Sequence, residues 1–234
     1  LGKPRLPCDT LTQLSLNSFG WLPRSVNQGH TMIRLHHLRI GRSLFTVWQL
    51  EELDAEYELE VYHRDESFRA PPELKAVHPL GKSPVIEVGE LVLSESGAIT
   101  SFLLETLDTE NRFAPPRAEL AAWAKFTQWL HYPEGSVFGP LLIKMLLLRG
   151  GEHAGLDAFS AKEIALHLGH ISAQLGDADY ILGADFSAAD FGIAYVVSMA
   201  DRLGQLNEYP TLSAYLERCK ARPAFQRAVA KAVE

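Results

Sequence analysis

The stretch Gly81–Ile99, with the sequence GKSPVIEVGELVLSESGAI, restricts the possible folds of this chain most strongly. Its apolar and β-branched runs predict two strands, Val85–Val88 and Leu91–Ser94, which the pair Gly89-Glu90 joins as a tight hairpin turn. The polar group Ser94-Glu95-Ser96 then precedes an apolar run and indicates the start of a helix. The chain must therefore contain a hairpin whose second strand leads directly into a helix.

A small polar pocket is expected where the second strand meets this helix. The side chains of Glu95 and Ser96 lie at the helix N-terminus, where unpaired N–H groups carry a partial positive charge. Ser83-Pro84 precedes the first strand, where a proline removes no needed donor and a cis bond is readily accommodated. An ordinary hairpin with a capped helix accounts for the same residues. The stretch alone therefore leaves a binding site and a purely structural role both open.

Length and composition exclude several classes of protein. A chain of 234 residues can bury one large core or two modest ones, and its net charge of −7 argues against nucleic acid as a partner. Cys8 and Cys219 lie far apart and form no metal-binding or redox spacing, which indicates a reducing compartment. No apolar run reaches membrane-spanning length. We therefore expect a soluble, cytoplasmic protein without a metal site.

The first half of the chain alternates between strand and helix patterns. Residues 1–30 show no sustained period and are interpreted as an appendage outside the core. Thr31–His36 alternates like a strand, segment 37–42 is predicted as a loop, and Ser43 is expected to cap an apolar helix. A strand over Tyr57–Tyr62 and a helical turn over Glu73–Val77 follow before the hairpin.

Residues 31–108 therefore have the order β-α-β-α-β-β-α, which predicts an α/β thioredoxin-like domain with a mixed sheet. Residues 109–117 contain two consecutive prolines and are interpreted as a linker. Residues 118–234 show helical periodicity, interrupted at Pro133-Glu134-Gly135, and are predicted to form an all-α domain.

The clearest local signal in the helical half is a capping box that begins a very apolar helix. Ser187 is predicted as the N-cap, and Asp190 three residues later is an acidic variant of the usual partner. Phe186 and Phe191 occupy the positions of a hydrophobic staple. Loss of the Ser187 cap should cost about 1 kcal/mol of stability.

Four stretches carry a resemblance to a known family: HPLGKSP at His78–Pro84, LSESGAI at Leu93–Ile99, the Ser187–Asp190 box, and YHRD with FRAPPELK within Tyr62–Lys75. Together, from about Met32 to the C-terminus, they resemble the cytosolic glutathione transferase superfamily. The stretch within Tyr62–Lys75 is especially similar to the branch that contains yeast glutathione transferase I and its bacterial relatives. The resemblance implies that the protein binds glutathione as a co-substrate.

The resemblance also implies which residues bind glutathione. Glu95 and Ser96 would bind the γ-glutamyl end, and Ser83, preceding the cis Pro84 of the family, would pair its backbone with the cysteinyl residue. Lys82 would bind the glycyl carboxylate. The chemistry agrees, because a carboxylate and a hydroxyl at a helix N-terminus suit an ammonium and a carboxylate. As structural alternatives, Glu95 and Ser96 cap a helix and Lys82 is a surface lysine.

The residue that activates the thiol is less evident from the sequence. Family members use a Tyr, Ser or Cys in the loop after the first strand, and here the loop His36–Ser43 contains neither Tyr nor Cys. We expect the Ser43 hydroxyl, the helix dipole and a nearby Arg42 or His37 to stabilise the thiolate. Lowering a thiol pKa by about two units requires only about 2.7 kcal/mol. Alternatively, Ser43 is only a helix cap and Arg42 a solvated charge.

The resemblance places Trp129, Tyr132 and Leu142 in a hydrophobic pocket for the second substrate, although such a stripe at helical spacing is more often core. The leading hypothesis is a homodimeric enzyme that conjugates glutathione to small hydrophobic electrophiles and that can also act as a glutathione-dependent peroxidase. The alternative is a non-catalytic glutathione-binding or scaffold protein on the same fold. Reduction of disulfides or dehydroascorbate is disfavoured because the loop has no cysteine.

Overall fold

The computed structural model describes residues 32–233. The predicted appendage at residues 1–30 and the first residue of the predicted first strand, Thr31, lie outside the described residues. Within residues 32–233, the chain forms four strands, nine α-helices and one π-helical turn.

Four strands form one mixed sheet, which confirms the thioredoxin-like prediction. They are β1 Ile33–Leu38, β2 Tyr57–Tyr62, β3 Val85–Val88 and β4 Leu91–Ser94, in the spatial order β2-β1-β3-β4. Strands β1 and β2 are parallel, whereas β3 is antiparallel to both β1 and β4. The predicted hairpin is thus β3 and β4, with β4 at one edge of the sheet.

Three helices accompany the sheet and six follow it. The first three are α1 Ser43–Glu52, α2 Glu73–Val77 and α3 Ser96–Leu107, and the later six are α4 Leu120–Tyr132, α5 Phe138–Gly150, α6 Ala154–Leu175, α7 Ala189–Arg202, α8 Pro210–Lys220 and α9 Pro223–Ala232. This arrangement confirms the all-helical second half. The division at residues 31–108, 109–117 and 118–234 stays a prediction, because one continuous core crosses these bounds.

Two sequence predictions about local structure are wrong. Strand β1 continues to Leu38, so His37 lies in the strand and not in the following loop. Pro133-Glu134-Gly135 does not interrupt the helix, because Pro133–Val137 forms a π-helical turn that joins α4 to α5. A proline has no N–H to donate, and the wider π turn absorbs the missing bond without ending the helical path.

Helix α1 is the centre of the core. It packs on β1 and α3 on one side and on α7 and α9 on the other, and Val47, Trp48 and Leu50 are fully buried. The Trp48 ring lies 4.9 Å from Phe191 and 5.1 Å from Phe225, measured between ring centroids. Full burial of side chains of this size contributes about 1.5–3 kcal/mol each. The position of α1 is therefore determined from both sides.

The predicted capping box at α7 forms only in part, because the N-cap of α7 is Ala188 and not Ser187, and no side chain caps the helix. Asp190 is fully buried, and its Oδ2 accepts hydrogen bonds from the Ser187 N–H and from the Ser187 hydroxyl, both at 2.9 Å. The Ser187 hydroxyl thus donates to the carboxylate instead of accepting from the helix backbone. Phe186 and Phe191 lie 5.2 Å apart between ring centroids, which places the two staple residues in contact.

Candidate functional site

Three chain segments meet at one end of the sheet because of the strand register. His36 of β1 lies opposite Val85 of β3, and Val85 lies opposite Ser94 of β4. The residues just beyond these positions are the α1 entry, the Ser83-Pro84 turn and the start of α3. The sheet therefore places the predicted binding residues next to each other, although 40 to 60 positions separate some of them in the chain.

Two serine hydroxyls connect these segments to β1. The backbone N–H of Leu38 donates to both Ser43 Oγ and Ser83 Oγ, at 3.1 Å each. The Ser83 hydroxyl donates to the carbonyl of His36 at 2.7 Å, and the Ser83–Pro84 peptide bond is cis. The start of α1 and the Ser83–Pro84 turn are thus attached to the same end of the same strand.

The structure places Ser43 and His37 differently from the sequence prediction. Both are fully buried, and His37 Nδ1 lies 2.9 Å from Ser43 Oγ. Ser43 is the first residue of α1, and its N-cap is Arg42. The expected contact of His37 with a thiolate is therefore not favoured, because its side chain is fully buried. Ser43 directs its hydroxyl toward β1, which does not favour contact with a bound thiol.

The start of α3 has the features expected of a ligand-binding helix N-terminus. Glu95 is exposed, and its carboxylate makes no capping hydrogen bond to α3. Its backbone φ is +72°, a region that costs a non-glycine residue about 1–3 kcal/mol. Ser96 follows as the first helical residue. Because Glu95 does not cap α3, its carboxylate remains available to a ligand.

Basic side chains lie around the same end of the sheet. Lys82 is exposed directly before Ser83, and Arg39 lies at the end of β1 with Nη1 3.5 Å from His63 Nδ1. Arg42 lies at the entry to α1, where its Nε is 2.8 Å from Glu134 Oε1. These cations form a local basic region on an acidic protein, which suits an anionic ligand.

One cleft is lined by residues of α1, α3, α4, the π turn and α7. Its polar wall includes Arg42, Ser96 and Glu134. The apolar and aromatic remainder includes Phe45, Leu130, Pro133, Phe191 and Tyr195. The Arg42 guanidinium also lies over the Phe138 ring, 4.3 Å from its centroid. The cleft is thus polar near the start of α3 and aromatic on the side of the helical half.

Two residues of this cleft were missed by the sequence analysis. Burial raises the pKa of the Glu134 carboxyl, opposed by the Arg42 guanidinium and supported by the charge of Glu95. Burial also raises the pKa of the Tyr195 phenol, which is therefore protonated at neutral pH and able to donate. Glu134 could have been identified from the sequence, because it is a charged residue within an otherwise mostly apolar helical segment. Tyr195 stands in a helix whose other residues are core, and its sequence position gives no such signal.

The predicted pocket residues Trp129, Tyr132 and Leu142 do not line this cleft. Trp129 is fully buried and stacks on His170 of α6, with ring centroids 5.3 Å apart. The Tyr132 hydroxyl lies 2.6 Å from His167 Nδ1, also on α6. The face of α4 that carries Trp129 and Tyr132 therefore packs on α6. Neighbouring positions Leu130, Pro133 and Glu134 face the cleft instead.

Within residues 32–233, no three His, Cys, Asp or Glu side chains group in a way that could hold a metal ion. The described part also has no helix that combines the length and the apolar character needed to cross a membrane. Cys219 is a free, buried cysteine, and burial together with the nearby Asp190 raises the pKa of its thiol to about 12. That thiol is therefore unreactive at neutral pH.

Comparison with family models gives two matches along this chain. The model for "Glutathione S-transferase, N-terminal domain" matches residues 31–105. The model for "Glutathione S-transferase, C-terminal domain" matches residues 154–218. The first match contains β1 to β4, α1, α2 and most of α3, and the second begins with α6.

Comparison with known proteins gives relatives of similar length. Glutathione S-transferase 1 of Saccharomyces cerevisiae is 28% identical over 226 residues, covering 86% of this chain and 95% of its own length. Glutathione S-transferase 3 of Schizosaccharomyces pombe is 30% identical over 217 residues, covering 86% and 88%. The crystal structure of a glutathione S-transferase from Actinobacillus pleuropneumoniae is 34% identical, with a TM-score of 0.79 and coverage of 86% and 93%.

Proposed function

The chain belongs to the cytosolic glutathione transferase superfamily, and on this premise we propose that it conjugates the glutathione thiolate to small hydrophobic electrophiles. One observation carries the proposal: the α1 entry, the Ser83–Pro84 turn and the start of α3 lie together at one end of the sheet. Each of these segments offers backbone or side-chain groups of the kind that a tripeptide with two carboxylates requires.

In this proposal, glutathione lies along the three segments in an extended form. Glu95 binds the α-ammonium, and Ser96 with the first N–H groups of α3 binds the α-carboxylate. The backbone of Ser83 pairs with the cysteinyl residue, and Lys82 binds the glycyl carboxylate. The free carboxylate of Glu95 and the exposed ammonium of Lys82 support these assignments.

The cysteinyl sulfur then lies near the entry to α1. The Leu44 and Phe45 N–H groups at this entry donate to the carbonyls of Gly41 and Arg42, at 3.3 Å and 3.0 Å, and the helix N-terminus carries a partial positive charge. This partial charge and the Arg42 guanidinium favour the thiolate, and about 2.7 kcal/mol of this preference lowers the thiol pKa by about two units. The thiol proton goes to solvent, the thiolate forms a bond to the electrophilic carbon, and the leaving group departs with its electron pair. Ser43 and His37 support the α1 entry from inside the fold.

The electrophile is proposed to lie in the cleft beside Arg42. Phe45 and Tyr195 provide an aromatic surface there, with ring centroids 5.4 Å apart, and Phe138 lies 6.0 Å from Tyr195. Aromatic walls of this kind favour flat, apolar substrates. The Tyr195 hydroxyl is a donor for a polar substituent or for developing negative charge on the substrate.

Glutathione binding and turnover can be tested in parallel. Isothermal titration calorimetry measures binding, and a chloro-dinitrobenzene assay measures conjugation with release of chloride. Glu95→Gln should weaken glutathione binding about tenfold, because a charge-assisted contact is lost, whereas Glu90→Gln in the exposed hairpin turn should not. Absence of binding by the unmodified protein would refute the proposal.

A hydroperoxide assay tests peroxidase activity, in which two glutathiones become the disulfide while the hydroperoxide becomes alcohol and water.

A glutathione-binding protein without turnover is the second candidate. The burial of Ser43 and His37 supports this candidate, because both predicted catalytic side chains are fully buried. Tight binding of glutathione, an unshifted thiol pKa and no conjugation of several electrophiles would support this candidate over the enzyme.

We also propose that the protein forms a homodimer through the β4 side of the sheet. Strand β4 is an edge strand, and its Leu91 and Val92 are exposed. Exposed apolar edge residues are typical of surfaces that another chain covers. Light scattering coupled to gel filtration measures the mass, and Val92→Lys should shift the protein toward the monomer.

A further inference from the structure

The segment that follows β2 carries an arginine with an unusual set of hydrogen bonds. The Arg64 guanidinium donates from Nε to the carbonyl of Arg39 at 3.1 Å and from Nη2 to the carbonyl of Ile40 at 2.9 Å. Its Nη1 donates to the carbonyl of Phe68 at 3.0 Å. All three nitrogens of one side chain therefore bind main-chain oxygens, two in the β1–α1 loop (residues 39–42) and one in its own turn.

Two of the three residues whose carbonyl oxygens bind Arg64 have strained backbones. Ile40 has φ +56° and Phe68 has φ +59°, the left-handed region that disfavours β-branched and bulky side chains. Such conformations cost about 1–3 kcal/mol each and persist only where the surroundings enforce them. Arg64 binds the carbonyl oxygens of both. Its guanidinium therefore contributes to holding the conformation at Ile40, within the β1–α1 loop.

The turn that carries Arg64 is itself fixed. Asp65 Oδ1 accepts hydrogen bonds from the Ser67 N–H at 2.9 Å, from the Ser67 hydroxyl at 2.7 Å and from the Arg69 N–H at 2.8 Å. The Asp65 N–H donates to the Arg69 carbonyl at 2.9 Å. This closed turn provides a rigid base from which the Arg64 side chain reaches the other loop.

The β1–α1 loop passes close to the guanidinium. A Cβ atom added to Gly41 would lie 2.9 Å from the Leu38 carbonyl oxygen and 3.4 Å from Arg64 Nη2. Gly41 is followed by Arg42, the N-cap of α1. A small change in the contact with Arg64 is therefore expected to move the loop residues that precede α1, including Arg42 and its side chain.

We propose that Arg64 is a positioning residue for thiol activation, and this inference rests on the proposed function. Its three hydrogen bonds hold the β1–α1 loop so that the α1 entry and Arg42 face the glutathione sulfur. Helix α1 does not depend on Arg64 for its own position, since Val47, Trp48 and Leu50 anchor it in the core. The role of Arg64 is thus specific to the loop, where displacement by about 1 Å can cost about 100-fold in rate.

The test uses Arg64→Lys, which keeps the positive charge but cannot bind three carbonyls with one ammonium group. The thiol pKa of bound glutathione is measured from the ultraviolet absorbance of its thiolate. Calorimetry gives the Kd for glutathione, and steady-state kinetics give kcat and KM for conjugation. The variant should raise the thiol pKa by about one unit and lower kcat at least about tenfold. The Kd for glutathione should change less than about threefold, because the proposed γ-glutamyl and glycyl contacts are elsewhere.

Two further variants accompany this test. Arg69→Lys is the matched control, since Arg69 is an exposed arginine of the same turn that contributes through its backbone, and it should behave like the unmodified protein. Gly41→Ala displaces the loop without changing Arg64 and should reproduce the raised thiol pKa. It also provides the test if Arg64→Lys does not fold.

The outcomes separate the inference from the proposed function. An unmodified protein that binds no glutathione refutes the proposed function and this inference with it. If the unmodified protein binds glutathione with a lowered thiol pKa, and Arg64→Lys reduces only the melting temperature while thiol pKa and kcat stay within about twofold, then Arg64 is purely structural and only this inference is refuted.

Discussion

Ser43 directs its hydroxyl away from the cleft and into the contact between α1 and β1. Its Oγ accepts from the Leu38 N–H and lies 2.9 Å from His37 Nδ1, and all three groups are buried. The position of Ser43 at the start of the first helix was predicted from the sequence, but the direction of its side chain was not. One helical residue can point toward a ligand or toward a strand, and the choice depends on what packs behind it.

Ser43→Ala should therefore affect stability more than activity. The change removes a buried acceptor and should cost about 1–3 kcal/mol, which lowers the melting temperature by about 2–4 °C per kcal/mol. Measured well below the melting temperature, kcat for conjugation should fall less than about threefold. Ser213→Ala in α8 is the control, since the Ser213 hydroxyl makes only a long bond to the Tyr209 carbonyl. A loss of kcat of about 100-fold with an unchanged melting temperature would instead show that Ser43 contacts the thiol.

At the scale of elements, local signals predicted most of the structure. The hairpin and α3 have the expected positions, because turn residues and periodic apolar residues act within a few positions of the chain. The π turn at Pro133–Val137 was not predictable in this way. Gly192 of α7 allows it, since a Cβ there would lie 2.9 Å from Pro133 Cγ. That contact joins residues 59 positions apart.

The buried carboxylate of Asp190 connects several surrounding elements by hydrogen bonds. Beyond the two bonds from Ser187, its Oδ1 accepts from the Ile181 N–H at 2.9 Å and from the Tyr215 hydroxyl at 3.0 Å. Asp190→Asn replaces one acceptor by an amide donor and leaves buried donors unpaired. We expect a loss of about 2–5 kcal/mol in the free energy of unfolding, measured by urea denaturation.

Ser187→Ala is the comparison for this prediction and should cost only about 1 kcal/mol, since the backbone bond from residue 187 to Asp190 remains. If both variants lose equally little, the buried carboxylate is not the main connection between α7, α8 and the segment before α7.

At the scale of the whole molecule, two glutamates at the end of α1 connect the sheet half to the C-terminal helix. Glu52 accepts from Arg222 Nη2 at 2.8 Å and from the Trp48 indole at 2.9 Å. Glu51 accepts from Arg227 Nε at 2.9 Å and from Lys231 Nζ at 2.5 Å. Both glutamates are at most 9% exposed, and their arginine and lysine partners lie about 170 to 180 positions away.

Glu51 makes the stability of the protein depend on pH. Burial raises the pKa of its carboxyl, but hydrogen bonds from Lys231, Tyr57 and Arg227 outweigh burial, and the pKa is lowered overall. The folded state therefore binds its proton less tightly than the unfolded chain, whose glutamates titrate at about pH 4.3. The contribution of Glu51 is present above that pH and is lost as the pH falls through the lower folded pKa.

Urea unfolding of Glu51→Gln and of the unmodified protein, from about pH 7 to about pH 3, measures this contribution. The difference in unfolding free energy should be largest near neutral pH and should shrink in the acid range. Glu56→Gln, at an exposed glutamate, should give no such pH-dependent difference. A Glu51→Gln difference that is constant across this range would show that packing, and not charge, makes Glu51 important.

Local patterns in the sequence predict the element order, the hairpin that leads into α3, the Ser83–Pro84 turn and the helical second half. These features depend on neighbouring residues, whose chemistry is visible in the chain. The tertiary structure alone decided that His37 and Ser43 face inward, that Trp129 and Tyr132 face α6, and that Glu134 and Tyr195 line the cleft. Strand alternation and helical spacing define faces, but packing between elements distant in the chain decides which face is covered and which meets a ligand.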